Sequence, residues 1–111
     1  MQPLPLPKSV QNILYSVIGR VTEAVSVSKV YLFGSYYTGT NTKGSDLDIA
    51  FFIKSSESLK EANRKIIKIT SKYPIDIQPQ IFYESELEEG IGIVGEILEN
   101  GGEIFIERKA E

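Results

Sequence analysis

The chain predicts an α+β fold, with one mixed β-sheet and helices packed on one of its faces. Two apolar stripes at helical spacing, three short runs at strand spacing and a Gly/Ser/Thr/Asn-rich connection between the first two strands carry that prediction. A chain of 111 residues is long enough to bury one core and too short for a second. Residues 1–111 therefore read as a single domain, with an extended Pro-rich arm over 1–7 and a charged tail over 108–111.

Each element has a local reason. Val10, Ile13, Leu14, Val17, Ile18, Val21 and Val25 recur three and four apart, predicting an amphipathic helix from Lys8 to about Val25 with Ser9 as its N-cap. Gly19 inside that stripe costs about 1 kcal/mol relative to Ala, which predicts close packing there. Lys29 to Phe33 is a β-branched and aromatic run that ends at Gly34, so it reads as a buried strand. Tyr36 to Ser45 is a loop by composition, with one helical turn at its start.

Leu47, Ile49, Phe51 and Ile53 alternate with Asp46, Asp48, Ala50 and Phe52. The alternate set turns apolar beyond the two acids, which predicts a strand covered on both faces whose first end opens onto a polar cleft. Ser56 or Ser58 is positioned to cap a helix bearing Leu59, Ala62, Ile66 and Ile69, which must stop before Pro74. Ile75, Ile77, Pro79 and Ile81 alternate with Asp76, Gln78 and Gln80, and Pro79 assigns this strand to an edge or to its own end. A helical turn over 84–89, a helix bearing Ile91, Val94, Ile97 and Leu98, a stop at Asn100-Gly101-Gly102 and a strand over 103–107 complete the chain.

Composition excludes several chemistries. Cysteine and histidine are both absent, so disulfides, thiolate zinc sites and Ser-His or Cys-His nucleophilic mechanisms are ruled out. Acid-base and metal chemistry must come from carboxylates, hydroxyls, Lys or Tyr. Oxygen ligands of that kind prefer hard cations such as magnesium, manganese or calcium. With a net charge of -3 and guanidinium groups only at Arg20, Arg64 and Arg108, the chain lacks the basic stripe of a nucleic-acid binder. No apolar run approaches the twenty residues of a spanning helix, and the N-terminus lacks the pattern of a signal peptide, so a cytoplasmic location is expected.

The chemistry concentrates at Gly34-Ser35 and, ten residues further on, Asp46-Leu47-Asp48, with a third acid at Asp76. Residues two apart on a strand share a face, so Asp46 and Asp48 point into one cleft while Leu47 and Ile49 enter the core. Two carboxylates at that range repel unless a cation bridges them or one stays protonated. A Gly-Ser turn after a hydrophobic strand brings backbone N–H groups and the Ser35 hydroxyl within reach of phosphate oxygens. Each motif alone is weak: a strand entrance often carries solvated acids, and a glycine at a strand end often serves only a tight turn. The loop is neither a P-loop, since it lacks Gly-Lys-Ser/Thr, nor a dinucleotide turn.

Taken jointly, these features resemble the nucleotidyltransferase superfamily related to DNA polymerase β. The resemblance is nearest to its minimal prokaryotic members, often encoded beside a HEPN-domain partner. It runs from about Val30 to Ile77, and the stretch from Ile97 through Gly101 into Ile104-Phe105 resembles those proteins too. The likeness implies that Asp46 and Asp48 ligate magnesium (or manganese) in a two-metal site completed by Asp76. It also implies that Gly34 and Ser35 contact the triphosphate of ATP or another nucleoside triphosphate, and that a nucleoside monophosphate, AMP where the donor is ATP, is transferred to a hydroxyl of a partner protein or of a small acceptor. With no histidine available, Asp76 is the general-base candidate. Many relatives carry Arg directly after the Gly-Ser and again two residues later, where this chain has Tyr36 and Thr38. Lys43 is then the only cation in the loop, a point charge rather than a fork, and is assigned to nucleotide binding.

The chain has no room for an acceptor-binding domain, so the acceptor surface is expected from another protein or a second copy. In the relatives it resembles, that partner is a HEPN-type helical protein, sometimes a toxin. A non-catalytic, antitoxin-like interaction module on the same scaffold is the alternative reading, favoured by the missing arginines.

Overall fold

The computed structural model describes residues 6–106. Within them the order is α1 (Lys8–Ala24), β1 (Val27–Phe33), α2 (Ser35–Thr38), β2 (Leu47–Ile53), α3 (Leu59–Thr70), β3 (Ile77–Tyr83), α4 (Glu86–Glu89), α5 (Gly92–Asn100) and β4 (Gly102–Ile104). The charged tail and most of the Pro-rich arm lie outside the described residues. Leu6, at the arm's end, is buried in the core, and its carbonyl accepts from Gln11 Nε2 at 3.2 Å.

The sheet runs β3-β2-β1-β4, with β2 and β3 parallel and the other two pairs antiparallel. The mixed sheet expected from the sequence is the one observed. The parallel pair follows from α3, which carries the chain back between β2 and β3. Pro79 sits in β3, an edge strand, where its missing N–H leaves no interior ladder broken. The first strand starts at Val27 rather than Lys29: Val27 pairs with Ile53 and Lys29 with Phe52, a register shift that absorbs Ser28. The last is shorter than its composition suggested, ending at Ile104.

Alternation sorts the strands' side chains into two clusters. Val30, Leu32, Leu47, Ile49, Phe51 and Ile53 face the main core, with Leu14, Val17 and Val21 of α1 and Ala62 and Ile66 of α3 packed over them. The two long helices thus share one face, as expected. The opposite face carries a smaller cluster of Ala50, Phe52, Val94 and Ile97, with Tyr31, Phe33 and Phe82 against it. Phe52 stands edge-on to Tyr31 at 5.8 Å and stacks on Phe82 at 5.4 Å. Short α5 therefore covers part of the second face, which explains why β2 is apolar on both sides beyond its two acids.

Of the three serines offered as helix caps, Ser58 alone takes that role. Ser58 caps α3, its side chain accepting from the Glu61 N–H at 3.3 Å. Ser9 does not cap α1; Pro7 occupies the cap position, and its carbonyl accepts from the Gln11 N–H at 2.9 Å. Pro there supplies a fixed φ in place of a capping side chain. Gly19 is not a close-packing position either: it is exposed, and a β-carbon there would meet nothing within 4 Å.

Candidate active site

Phe33, the last residue of β1, pairs with Asp48 of β2. The chain then turns at Gly34, with φ 77° and ψ -162°, into the four-residue helix α2. That backbone geometry is essentially reserved for glycine. Gly34 also has the Asp48 carboxylate pressed against it, so that a β-carbon would overlap Asp48 Oδ2 and lie 3.0 Å from Cγ. The turn and the second acid of the Asp-x-Asp pair are thus in direct contact. The Gly34 carbonyl accepts from the Tyr37 and Thr38 N–H groups, both at 3.1 Å, which closes the turn. The first N–H groups of a helix have no partner within it, so Ser35 and Tyr36 present theirs at this point.

Asp46 precedes β2 by one residue and is half-buried, as is Asp48. Strand alternation places both on the face that carries Ala50 and Phe52 further along. The Asp48 carboxyl is held above the ordinary aspartate range, first by burial and then by the negative charge of Asp46. Two acids in mutual repulsion form a donor set that one hard divalent cation would relieve.

Asp76 stands one strand over. Leu47 pairs with Ile77, and the Asp76 carbonyl accepts from the Leu47 N–H at 2.8 Å, so Asp76 is the cross-strand neighbour of Asp46. It is exposed, and among the described residues no three acidic side chains cluster closely enough to hold a metal ion. Asp48 is therefore joined to Gly34 and shares a face and a repulsion with Asp46, whereas Asp76 is placed beside Asp46 in register and not gathered in. Lys43 lies exposed in the Thr42–Ser45 turn, which is tied by Thr42 N–H to Ser45 Oγ at 2.8 Å. Tyr36 is buried in the main core and Tyr37 packs against Gly102, so both aromatics after the Gly-Ser are packing residues.

One feature beside the site was not anticipated from the sequence. A cavity of about 220 Å³ opens beside Gly34, lined by Phe33, Gly34, Ile93, Glu96, Ile97 and Asn100. Four of those residues, at 93, 96, 97 and 100, fall on one stripe of α5. That periodicity was legible, but nothing local tied it to residue 34.

A family model described as "Nucleotidyltransferase domain" matches residues 14–101, which include every residue of the Gly-Ser, Asp-x-Asp and Asp76 set. A protein of Methanocaldococcus jannaschii named "Putative protein adenylyltransferase" is 43% identical over 60 residues, covering 50% of this chain and 60% of that protein. The aligned region thus spans less than two thirds of that relative. A crystal structure described as a "putative nucleotidyltransferase" from Sulfolobus solfataricus superposes with a TM-score of 0.56 at 18% identity, over 70% of each chain, a likeness of fold alone. No helix among the described residues is long and apolar enough to cross a membrane. With the mixed sheet, the Gly34 turn and the Asp-x-Asp strand in place, the chain belongs to the nucleotidyltransferase domain family.

Proposed function

We propose that this chain transfers AMP from ATP to a hydroxyl group of a protein. The observation that carries the reading is the contact between the Asp48 carboxylate and the Gly34 turn, with Asp46 adding a second negative charge to the same face. A phosphate-approach turn touching a repelling acid pair makes chemical sense if a cation and a triphosphate complete the charge balance. The name of the M. jannaschii protein supports adenylyl transfer to protein as the class of reaction.

In this reading Asp46 and Asp48 would hold a divalent cation, magnesium or manganese, and Asp76, beside Asp46 in register, would supply the third carboxylate for a second ion. When bound, such ions neutralise phosphate charge and lower the pKa of an acceptor hydroxyl. The chain's own groups do the rest. Backbone N–H groups at Gly34 and Ser35, with the Ser35 hydroxyl, orient the triphosphate, and Lys43 adds a positive charge from the loop. The acceptor oxygen attacks the α-phosphorus and forms the new ester bond. The bond from that phosphorus to the bridging oxygen breaks, pyrophosphate leaves with the electron pair, and the hydroxyl proton passes to Asp76. The acceptor surface comes from a partner protein or a second copy. A HEPN-type helical partner and an antitoxin role rest on family resemblance.

The test uses titration of Mg-ATP into the chain and its Asp46→Asn/Asp48→Asn variant, followed by mass analysis of acceptor proteins incubated with ATP labelled at the α-phosphate. The variant is expected to keep its circular dichroism spectrum, lose Mg-ATP binding and transfer no label. Equal Mg-ATP affinity in both proteins would falsify the assignment. A non-catalytic interaction module predicts instead a protein complex that survives the double substitution with no label transferred by either form.

A further inference from the structure

We propose that the cavity between α5 and the end of β1 is a nucleobase subsite, selective for bases that carry an exocyclic amino group. The inference rests on the nucleoside-triphosphate reading given above and specifies how that site chooses its nucleotide. The cavity and the acid pair share Gly34: Asp48 presses on the turn, and the turn also forms part of the cavity lining. A ligand with its phosphates at Gly34 and Ser35 therefore has its remaining bulk within reach of α5.

Size and charge decide which end enters. Pockets that enclose drug-sized ligands measure roughly 300–1,000 Å³. This one, at about 220 Å³, suits a single ring system rather than a whole nucleotide. Phe33, Ile93 and Ile97 supply apolar walls for a flat heterocycle, and Ile93 is 49% exposed, an uncovered apolar surface at the rim. The remaining polar wall is Glu96 and Asn100. A carboxylate repels a phosphate chain and accepts from an amino group, so Glu96 turns the polyanionic end away and favours adenine or another amino-bearing base. The Asn100 amide adds one donor pair and one acceptor on the same helix stripe. Among the described residues neither side chain is committed to a hydrogen bond elsewhere.

Three probes separate the subsite from the metal-phosphate site: ATP, UTP and inorganic tripolyphosphate, each titrated with magnesium into the full chain. Ile93→Trp fills the cavity from its exposed rim, and is expected to weaken ATP about tenfold while tripolyphosphate stays within about twofold. Glu96→Ala is expected to bring ATP and UTP, separated by about tenfold in the unaltered chain, to within about threefold of each other. If both variants shift ATP no more than they shift tripolyphosphate, the cavity is not the base subsite. Equal binding of ATP and UTP by the unaltered chain would overturn the proposal as well. Failure of the acid-pair reading has a different signature, tripolyphosphate affinity unmoved by Asp46→Asn/Asp48→Asn, so the two ideas fall separately.

Discussion

Replacing Gly34 by alanine probes the contact on which the site is built. Two costs combine in Gly34→Ala. The first is conformational: φ 77° with ψ -162° lies where side chains are rarely tolerated, which costs about 1–3 kcal/mol. The second is steric, because the new methyl overlaps Asp48 Oδ2, lies 3.0 Å from Cγ and 3.2 Å from Cβ. Either the turn or the carboxylate must shift. The two costs separate in a double-mutant cycle, since Asp48→Ala removes the oxygen and Cγ but leaves the backbone strain and the Cβ contact. Gly34→Ala is expected to cost less in the Asp48→Ala background than in the natural chain, with a coupling of about 0.5–3 kcal/mol. Urea unfolding followed by circular dichroism measures all four proteins. Additivity within about 0.5 kcal/mol would show that Gly34 and Asp48 do not press on each other.

Three further outcomes are expected. The folded-state pKa of Asp48 is raised, so its titration contributes stability at low pH that is lost as pH rises through that folded value. Asp48→Asn should therefore be more stable than the natural chain at neutral pH without divalent metal. The advantage should vanish below the ordinary aspartate range, and thermal unfolding across pH 3 to 8 checks the sign (roughly the span over which such a carboxyl titrates). Gly19→Ala should stabilise α1 by about 0.5–1 kcal/mol, because the position is exposed and open; destabilisation in urea melts would mean that a neighbour occupies that face after all. Ser58→Ala should cost about 0.5–2 kcal/mol through loss of the cap on Glu61 N–H, whereas Ser9→Ala, within α1, should be neutral or slightly favourable in the same measurement.

The comparison of Ser9 with Ser58 shows where local reasoning reached its limit. Both serines precede an apolar stripe, and the sequence offers each as a cap. Only Ser58 has the extended backbone, φ -79° and ψ 123°, that lets its oxygen reach back to the third N–H. At α1 the helix had already begun, because Pro7 supplies its entry. Gly19 failed for a related reason: a glycine in a helix marks close packing only when a neighbour occupies its face, and a one-dimensional pattern does not reveal neighbours. Pro79, by contrast, was legible, since a missing donor restricts its strand whatever the surroundings.

From residues alone came the identity of nearly every element, the pairing of Asp46 with Asp48 on one face and the family likeness. All of these depend on spacing along the chain, where periods of 2 and 3.6 translate directly into direction. Tertiary structure decided that Asp48 lies on Gly34, that Asp76 stands beside Asp46 by parallel register and remains exposed, and that α5 brings Glu96 and Asn100 to a cavity opening at the same turn. Those facts depend on which strand pairs with which and in what register. They are set by long-range burial of two apolar faces, and no local window contains them.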